Sequence, residues 1–230
     1  MSQNILDRPG QRDRSSCDRA TGVTRSLLGY GVIVGPVYVL TVLAQALLRP
    51  GFDLTRDDAS LLSNGAFGWI QVVNFVVSGL MVIACALGVR RGLAAGRGAT
   101  WGPILLGLFG AGLIAAGIFV ADPMNGFPAG APSGHPATIT VHGALHIVSA
   151  GIGFIGLIAA CFVLARRLSG DGSRRLAIAS RATGVIFLAG FVAVASGSSS
   201  PAVVAAFWFA LLVAWTWLAA LAVHLYRRAA

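Results

Sequence analysis

The feature that most constrains this chain is a series of six apolar stretches, each close to the length of a bilayer crossing. They are residues 26–48, 67–89, 101–121, 138–165, 182–196 and 202–226. A hydrocarbon layer about 30 Å thick is crossed by about 20 helical residues. Inside it the backbone must bond to itself, which for such segments means helices. The fourth stretch is long enough to tilt or to project from the lipid. The fifth is short, and the Ser/Gly run before Pro201 makes a tight turn into the sixth. Breaks fall where punctuation is expected: Arg49-Pro50-Gly51, Arg90-Arg91-Gly92, the Pro/Gly-rich residues 122–136, and residues 169–175. The predicted fold is therefore all-α, a single six-helix transmembrane bundle over residues 26–228. Residues 1–25 are polar and lack the roughly 7–15-residue apolar core of a signal peptide; they are expected to form a disordered tail.

Composition agrees. The chain is 56% hydrophobic and 11% charged, against about 25% charged residues in soluble domains. All 17 basic residues are arginine and all eight acids are aspartate, giving a net charge of +9. Such a balance can indicate nucleic acid, but the arginines are sorted by topology. Fifteen lie in the N-terminal tail, the second and fourth loops and the C-terminus; Arg49 and Arg56 alone fall on the other side. The positive-inside rule puts both termini in the cytoplasm and the chain in the inner (plasma) membrane. A nucleic-acid partner is excluded on this reading, and membrane lipid is the expected neighbour. The three cysteines, Cys17, Cys85 and Cys161, have neither disulfide nor metal-knot spacing.

With this orientation the polar residues of the apolar stretches gather in the outer half. Thr41 and Gln45 share a face of the first helix, and Gln71, Asn74 and Ser78 share one of the second. The third helix ends at Asp122, and the fourth carries His142, His146 and Ser149. At 1.5 Å per residue, His142 and His146 lie roughly 6 and 12 Å below the start of their helix. Exposing such groups to lipid costs several kcal/mol, so they are expected to face one another. An outward-facing polar pocket between helices 2, 3 and 4 results, with Asn74, Asp122 and His146 converging on it. Interhelical glue is the competing account of the same residues. The first outer loop clusters Asp53, Asp57 and Asp58 around Arg56, and the Pro/Gly-rich third outer loop is expected to cover the mouth as a lid. Phe52, Phe67, Trp69 and Phe127 read as interfacial aromatics. The glycines of GLFGAG and GIGFIG lie inside membrane helices and read as close-packing positions.

Several of these segments carry a resemblance. Residues 60–91, residues 107–130 with ADPMNGFP, the HGALH run ending at Arg167, and PGFDLTRDDAS in the first outer loop resemble the multi-pass prokaryotic membrane family classed as domain of unknown function 998. The resemblance implies a six-helix integral membrane fold and no stated activity. Its pattern falls here on Asp53, Ser60, Trp69, Gln71, Asn74, Asp122, Pro123, Gly126 and His146; His142 stands outside it.

Three functions compete. In the first, the pocket binds a lipid-like or small ligand through Asp53, Trp69, Gln71, Asn74, Asp122, His142 and His146. In the second, the chain is a non-catalytic accessory subunit that docks a membrane partner on its Gly-rich third helix; a homo-oligomer belongs to the first reading, where a second copy would complete a passage for the ligand. In the third, His142 and His146, four residues apart on one helix face, hold zinc with Asp122 and with His135 as a fourth ligand. That intramembrane hydrolase would have His146, Asp122 and Asp57 as catalytic candidates, with Asp57 the general base.

Overall fold

The computed structural model describes residues 9–93, 95–96 and 98–229. Six helices follow one another: α1 (Pro9–Leu48), α2 (Gly68–Leu93), α3 (Trp101–Ile118), α4 (Val141–Gly170), α5 (Arg174–Ala195) and α6 (Pro201–Arg228). All six contain windows long and apolar enough to cross a membrane, and the chain is an all-α, multi-pass membrane bundle. Each helix packs on its sequence neighbour, and α1 closes the ring against α6. The ring has two ends: a terminal face, with the chain ends and the α2–α3 and α4–α5 turns, and a loop face, with residues 49–67, 119–140 and 196–200.

Two helices begin well ahead of the sequence expectation, and α3 ends at Ile118, which leaves Asp122 in the loop beyond it rather than at the helix end. Helix α1 begins at Pro9, within the stretch expected to be a disordered tail, and the first eight residues lie outside the described ones. Helix α5 begins at Arg174, eight residues before the apolar stretch does. Hydropathy measures depth in the bilayer, whereas an arginine-bearing turn at the interface is helical without being apolar.

Side chains that look outward are apolar: Leu40, Leu47, Ile147 and Val192 are all more than half exposed. Burying apolar area gains little when the solvent is itself hydrocarbon, so close backbone approach has to hold the helices together. Glycine supplies it. A Cβ on Gly110 would lie 2.7 Å from the Gly79 carbonyl oxygen of α2, and one on Gly112 would lie 2.7 Å from Gly153 Cα of α4. On the other side of the ring, Cβ atoms on Gly31 and Gly35 would lie 2.9 Å from Ala222 and Trp215 Cβ of α6.

The plug at the loop face comes from the first long loop. There a 3₁₀ turn, Ala59–Ser63, drops Leu61 and Leu62 into the mouth of the bundle, both almost wholly buried. Arg49 donates to the carbonyls of Leu62 and Asn64 and covers the Phe127 ring, 4.7 Å from its centroid. The third loop, expected to be the lid, packs against the first, with Phe127 buried against Phe52 at 5.3 Å and Pro128 beside Gly65.

Candidate functional site

Beneath the 3₁₀ turn lies a small cavity, about 30 Å³ for the centres of water-sized spheres, which exceeds the roughly 10–15 Å³ that one water requires. Asp58, Ser60 and His146 form its polar end. Tyr38, Phe75, Phe109, Phe154 and Trp215 line the rest, with glycines and aliphatic side chains between them.

His146 is 5% exposed and fully bonded. Its Nδ1 lies 2.7 Å from the Phe119 carbonyl oxygen and 3.0 Å from that of Ala116, at the unravelling end of α3. Its Nε2 lies 2.9 Å from Ser60 Oγ. A carbonyl oxygen only accepts, so Nδ1 carries the proton. In the neutral ring Nε2 is therefore an acceptor, and the Ser60 hydroxyl donates to it. Hydroxyl, imidazole and a third group that fixes the ring is the arrangement that activates an oxygen nucleophile. Here backbone carbonyls occupy the third position.

Ser60 is placed by the cap of its own turn. Asp58 precedes the 3₁₀ turn in extended conformation, and its carboxylate accepts from Ser60 N at 2.9 Å. Burial pushes the Asp58 carboxyl above the usual carboxylate range, and the amides of Ser60 and Leu61 oppose that shift.

The chain belongs to the DUF998 family. The sequence model of that family, described as protein of unknown function, matches residues 32–224. No curated protein and no solved structure matches this DUF998 chain. Its six apolar helices make it a multi-pass membrane protein, and the DUF998 description assigns it no activity.

Of the residues proposed from the sequence as ligand, metal or catalytic groups, His146 alone lines this cavity; Ser60, which entered through the family pattern, and Asp58, read only as part of the first-loop cluster, line it beside His146. Asn74 and Asp122, expected to converge on it, do not, because each is satisfied nearer home. Asn74 belongs to a chain of amides along the α1–α2 seam. Gln45 donates to Gln71 Oε1 at 2.9 Å, and Asn74 donates to the same oxygen and to the Tyr38 carbonyl, both at 3.3 Å. Asp122 accepts from Thr140 N at 2.9 Å and Thr140 Oγ1 at 2.6 Å, fastening the N-cap of α4.

The remaining candidates are likewise occupied elsewhere. His142 is exposed and packs on Phe119 with ring centroids 6.0 Å apart. His135 pairs with the Gly197 carbonyl at 2.7 Å. Asp53 closes a turn with Thr55, whose amide and hydroxyl donate to it and hold its carboxyl below the usual range. Trp69 is 61% exposed on the outer surface of α2. Asp57 is wholly buried and saturated by Asp53 N, Arg56 Nε and Asn125 Nδ2 at 2.9–3.2 Å. Among the described residues no three His, Cys, Asp or Glu side chains gather as metal ligands, and His142, His146 and Asp122 do not fit a shared zinc ion.

Sequence reasoning passed over Tyr38, Asp58 and Trp215 as cavity residues, and reached Ser60 through family resemblance alone. The one local signal was Asp58 two residues ahead of Ser60, the spacing of a carboxylate that caps the next turn.

A second recess lies on the flank of the bundle. Between α1 and α6, toward the loop face, a groove of about 410 Å³ runs past Val39, Val42, Leu43, Trp208 and Leu212. Tyr38, Leu211 and Trp215 belong to both recesses and form the wall between them. The indole nitrogens of Trp208 and Trp215 are buried and have no hydrogen-bond partner among the described residues.

Proposed function

We propose that the protein binds a membrane lipid, with an acyl-type chain in the α1–α6 groove and the polar group turned inward toward Asp58, Ser60 and His146. The observation that carries this reading is the shared wall of Tyr38, Leu211 and Trp215, with two unpartnered indole N–H donors beside it. Buried N–H groups without acceptors are rare, because each costs the full desolvation of a donor; a lipid ester or headgroup oxygen supplies the acceptor. The groove volume also lies within the range of about 300–1,000 Å³ of ordinary ligand sites. The arginine distribution supports a terminal face in the cytoplasm and a loop face outside, so the lipid comes from the outer leaflet.

Two competing readings fare worse. The zinc hydrolase loses its ligand set, as described. Docking of a partner on the glycines of α3 meets an internal claim on them: Gly102, Gly110, Gly112 and Gly117 all press on α2 or α4, and of the five only Gly107 faces open space.

Lipid extracted from protein purified in mild detergent is expected at about one molecule per wild-type chain. Leu212→Trp, which fills the groove from its exposed side, should lower that severalfold. Equal lipid content in the two proteins would overturn the proposal. Impermeant labelling of Ser133→Cys, with every native cysteine replaced, should succeed on intact cells or spheroplasts; labelling only after lysis would reverse the orientation.

A further inference from the structure

The lipid-binding reading says nothing about why a hydroxyl and an imidazole meet at the inner end of the recess. We infer that Ser60 and His146 form an acyl-transfer site that acts on an ester of the bound lipid; the inference rests on that reading for its substrate. The geometry asks for it in three respects. Ser60 Oγ and His146 Nε2 are 2.9 Å apart, within the reach of a nucleophile and its base. The ring is locked by two carbonyls at Nδ1, so the tautomer that accepts from a hydroxyl is the one held in place. Both side chains line the cavity rather than a solid contact, and the cavity adjoins the lipid groove through Tyr38, Leu211 and Trp215.

A purely structural clasp would use the same hydrogen bond. It would not call for a cavity at the hydroxyl, or for an unpartnered donor on a residue that lines the same cavity. The indole N–H of Trp215 is such a donor, and a carbonyl oxygen that becomes an oxyanion is the acceptor it lacks. Asp58 completes the polar end by holding the Ser60 amide. It is a positioning residue, fixing the turn from which Ser60 projects.

The step balances as follows. Ser60 Oγ attacks the ester carbonyl carbon, forming a new C–O bond while its proton passes to His146 Nε2. The bond from that carbon to the alkoxy oxygen breaks, and the leaving alcohol takes the proton from Nε2. Water then attacks the acyl-Ser60 ester, gives its proton to Nε2, and releases the fatty acid as Ser60 Oγ takes the proton back. An alcohol in place of water moves the acyl group instead of hydrolysing it.

The test uses full-length protein in lipid nanodiscs and a long-chain alkyl fluorophosphonate, with which a serine oxygen displaces fluoride. Wild type is expected to form one stable adduct, placed on Ser60 by peptide mass. Ser60→Ala should lose it. Ser63→Ala, which removes a neighbouring hydroxyl of the same turn, should keep it. His146→Gln should slow labelling by about 10²-fold, the usual contribution of a general base. A wild-type chain that stays unlabelled yet carries its lipid would overturn the acyl-transfer site and leave lipid binding standing. Equal labelling of wild type and Ser60→Ala would overturn it as well. A chain with neither adduct nor lipid would remove both proposals. Each variant is scored only as a single symmetric peak in size exclusion, and Ser60→Cys, with a thiol-directed alkylating lipid as probe, provides a second route if Ser60→Ala does not fold. Failure of Ser60→Cys to react faster than Cys85 or Cys161 would count against the site.

Discussion

Asp57 and Asn125, 68 positions apart, meet through a hydrogen bond of 3.2 Å that ties the first long loop of the loop face to the second. The carboxylate also anchors Asp53 N and Arg56, and no part of it is exposed. Replacing it leaves the Asp53 N–H without its acceptor and the Asn125 amide with only a long bond of 3.5 Å to the Arg56 carbonyl. Asp57→Ala is therefore expected to cost about 1–3 kcal/mol, measured by denaturant or thermal unfolding in detergent. A loss below about 0.5 kcal/mol would mean that the two loops are held together by Phe52, Phe127 and Arg49 alone.

The amide chain along the α1–α2 seam is interhelical glue. When Gln71 is removed, Gln45 retains the Thr41 carbonyl at 3.3 Å and Asn74 retains the Tyr38 carbonyl. Gln71→Leu should then cost about 0.6–1.7 kcal/mol, the span of single polar contacts inside membrane bundles. Bound-lipid content should be unchanged. A severalfold drop in bound lipid would show that the seam takes part in the pocket.

Asp122 and Gly143 form one device. The carboxylate lies directly against Gly143, so any Cβ there would displace it from Thr140. Gly143→Ala and Asp122→Ala should each destabilise by about 1 kcal/mol, the scale of a lost helix cap. The double variant should cost about as much as either single one, because both break the same cap. Strict additivity, measured as a double-mutant cycle, would refute this coupling.

Asp58 makes the fold sensitive to pH in a predictable direction. Its carboxyl is held above the ordinary 3.8 by burial, so the folded chain retains a proton that the unfolded chain releases. The associated stability is complete below 3.8 and is lost as pH rises through the higher folded-state value. Asp58→Asn, neutral throughout, should gain on wild type as pH climbs above 4. Melting curves for the pair that run parallel from pH 4 to pH 8 would disprove it.

The spans were legible in the sequence because length and apolarity are all that a bilayer demands of a helix. The polar layer was legible too, since spacings of three and four mark a face, as they do for Gln71, Asn74 and Ser78. What a face looks at was not legible. Asn74 found its partners on α1, and Asp122 found Thr140 18 positions away; neither pairing leaves a periodic trace. Ser60 and Asp58 lie in a loop, where periodicity is silent, and a 3₁₀ turn of five residues is too short to announce itself by hydropathy. His146 was picked out for sitting four residues from His142, yet it owes its place to the carbonyls that α3 leaves unbonded as it unwinds.

The glycine contacts leave this molecule with one door. Helices α2 and α3 meet backbone to backbone at Gly79 and Gly110, and α3 and α4 do so at Gly112 and Gly153, with the Ile83 and Ile114 side chains packed beside the first pair. Gly31 and Gly35 bring α1 against the Ala222 and Trp215 side chains of α6 over the half nearer the terminal face. Beyond Gly35 the pinning stops, and Tyr38, Val39 and Val42 look across a gap at Trp208 and Leu212. A guest arriving sideways from the bilayer needs only those rotamers to turn, while the rest of the ring stands still.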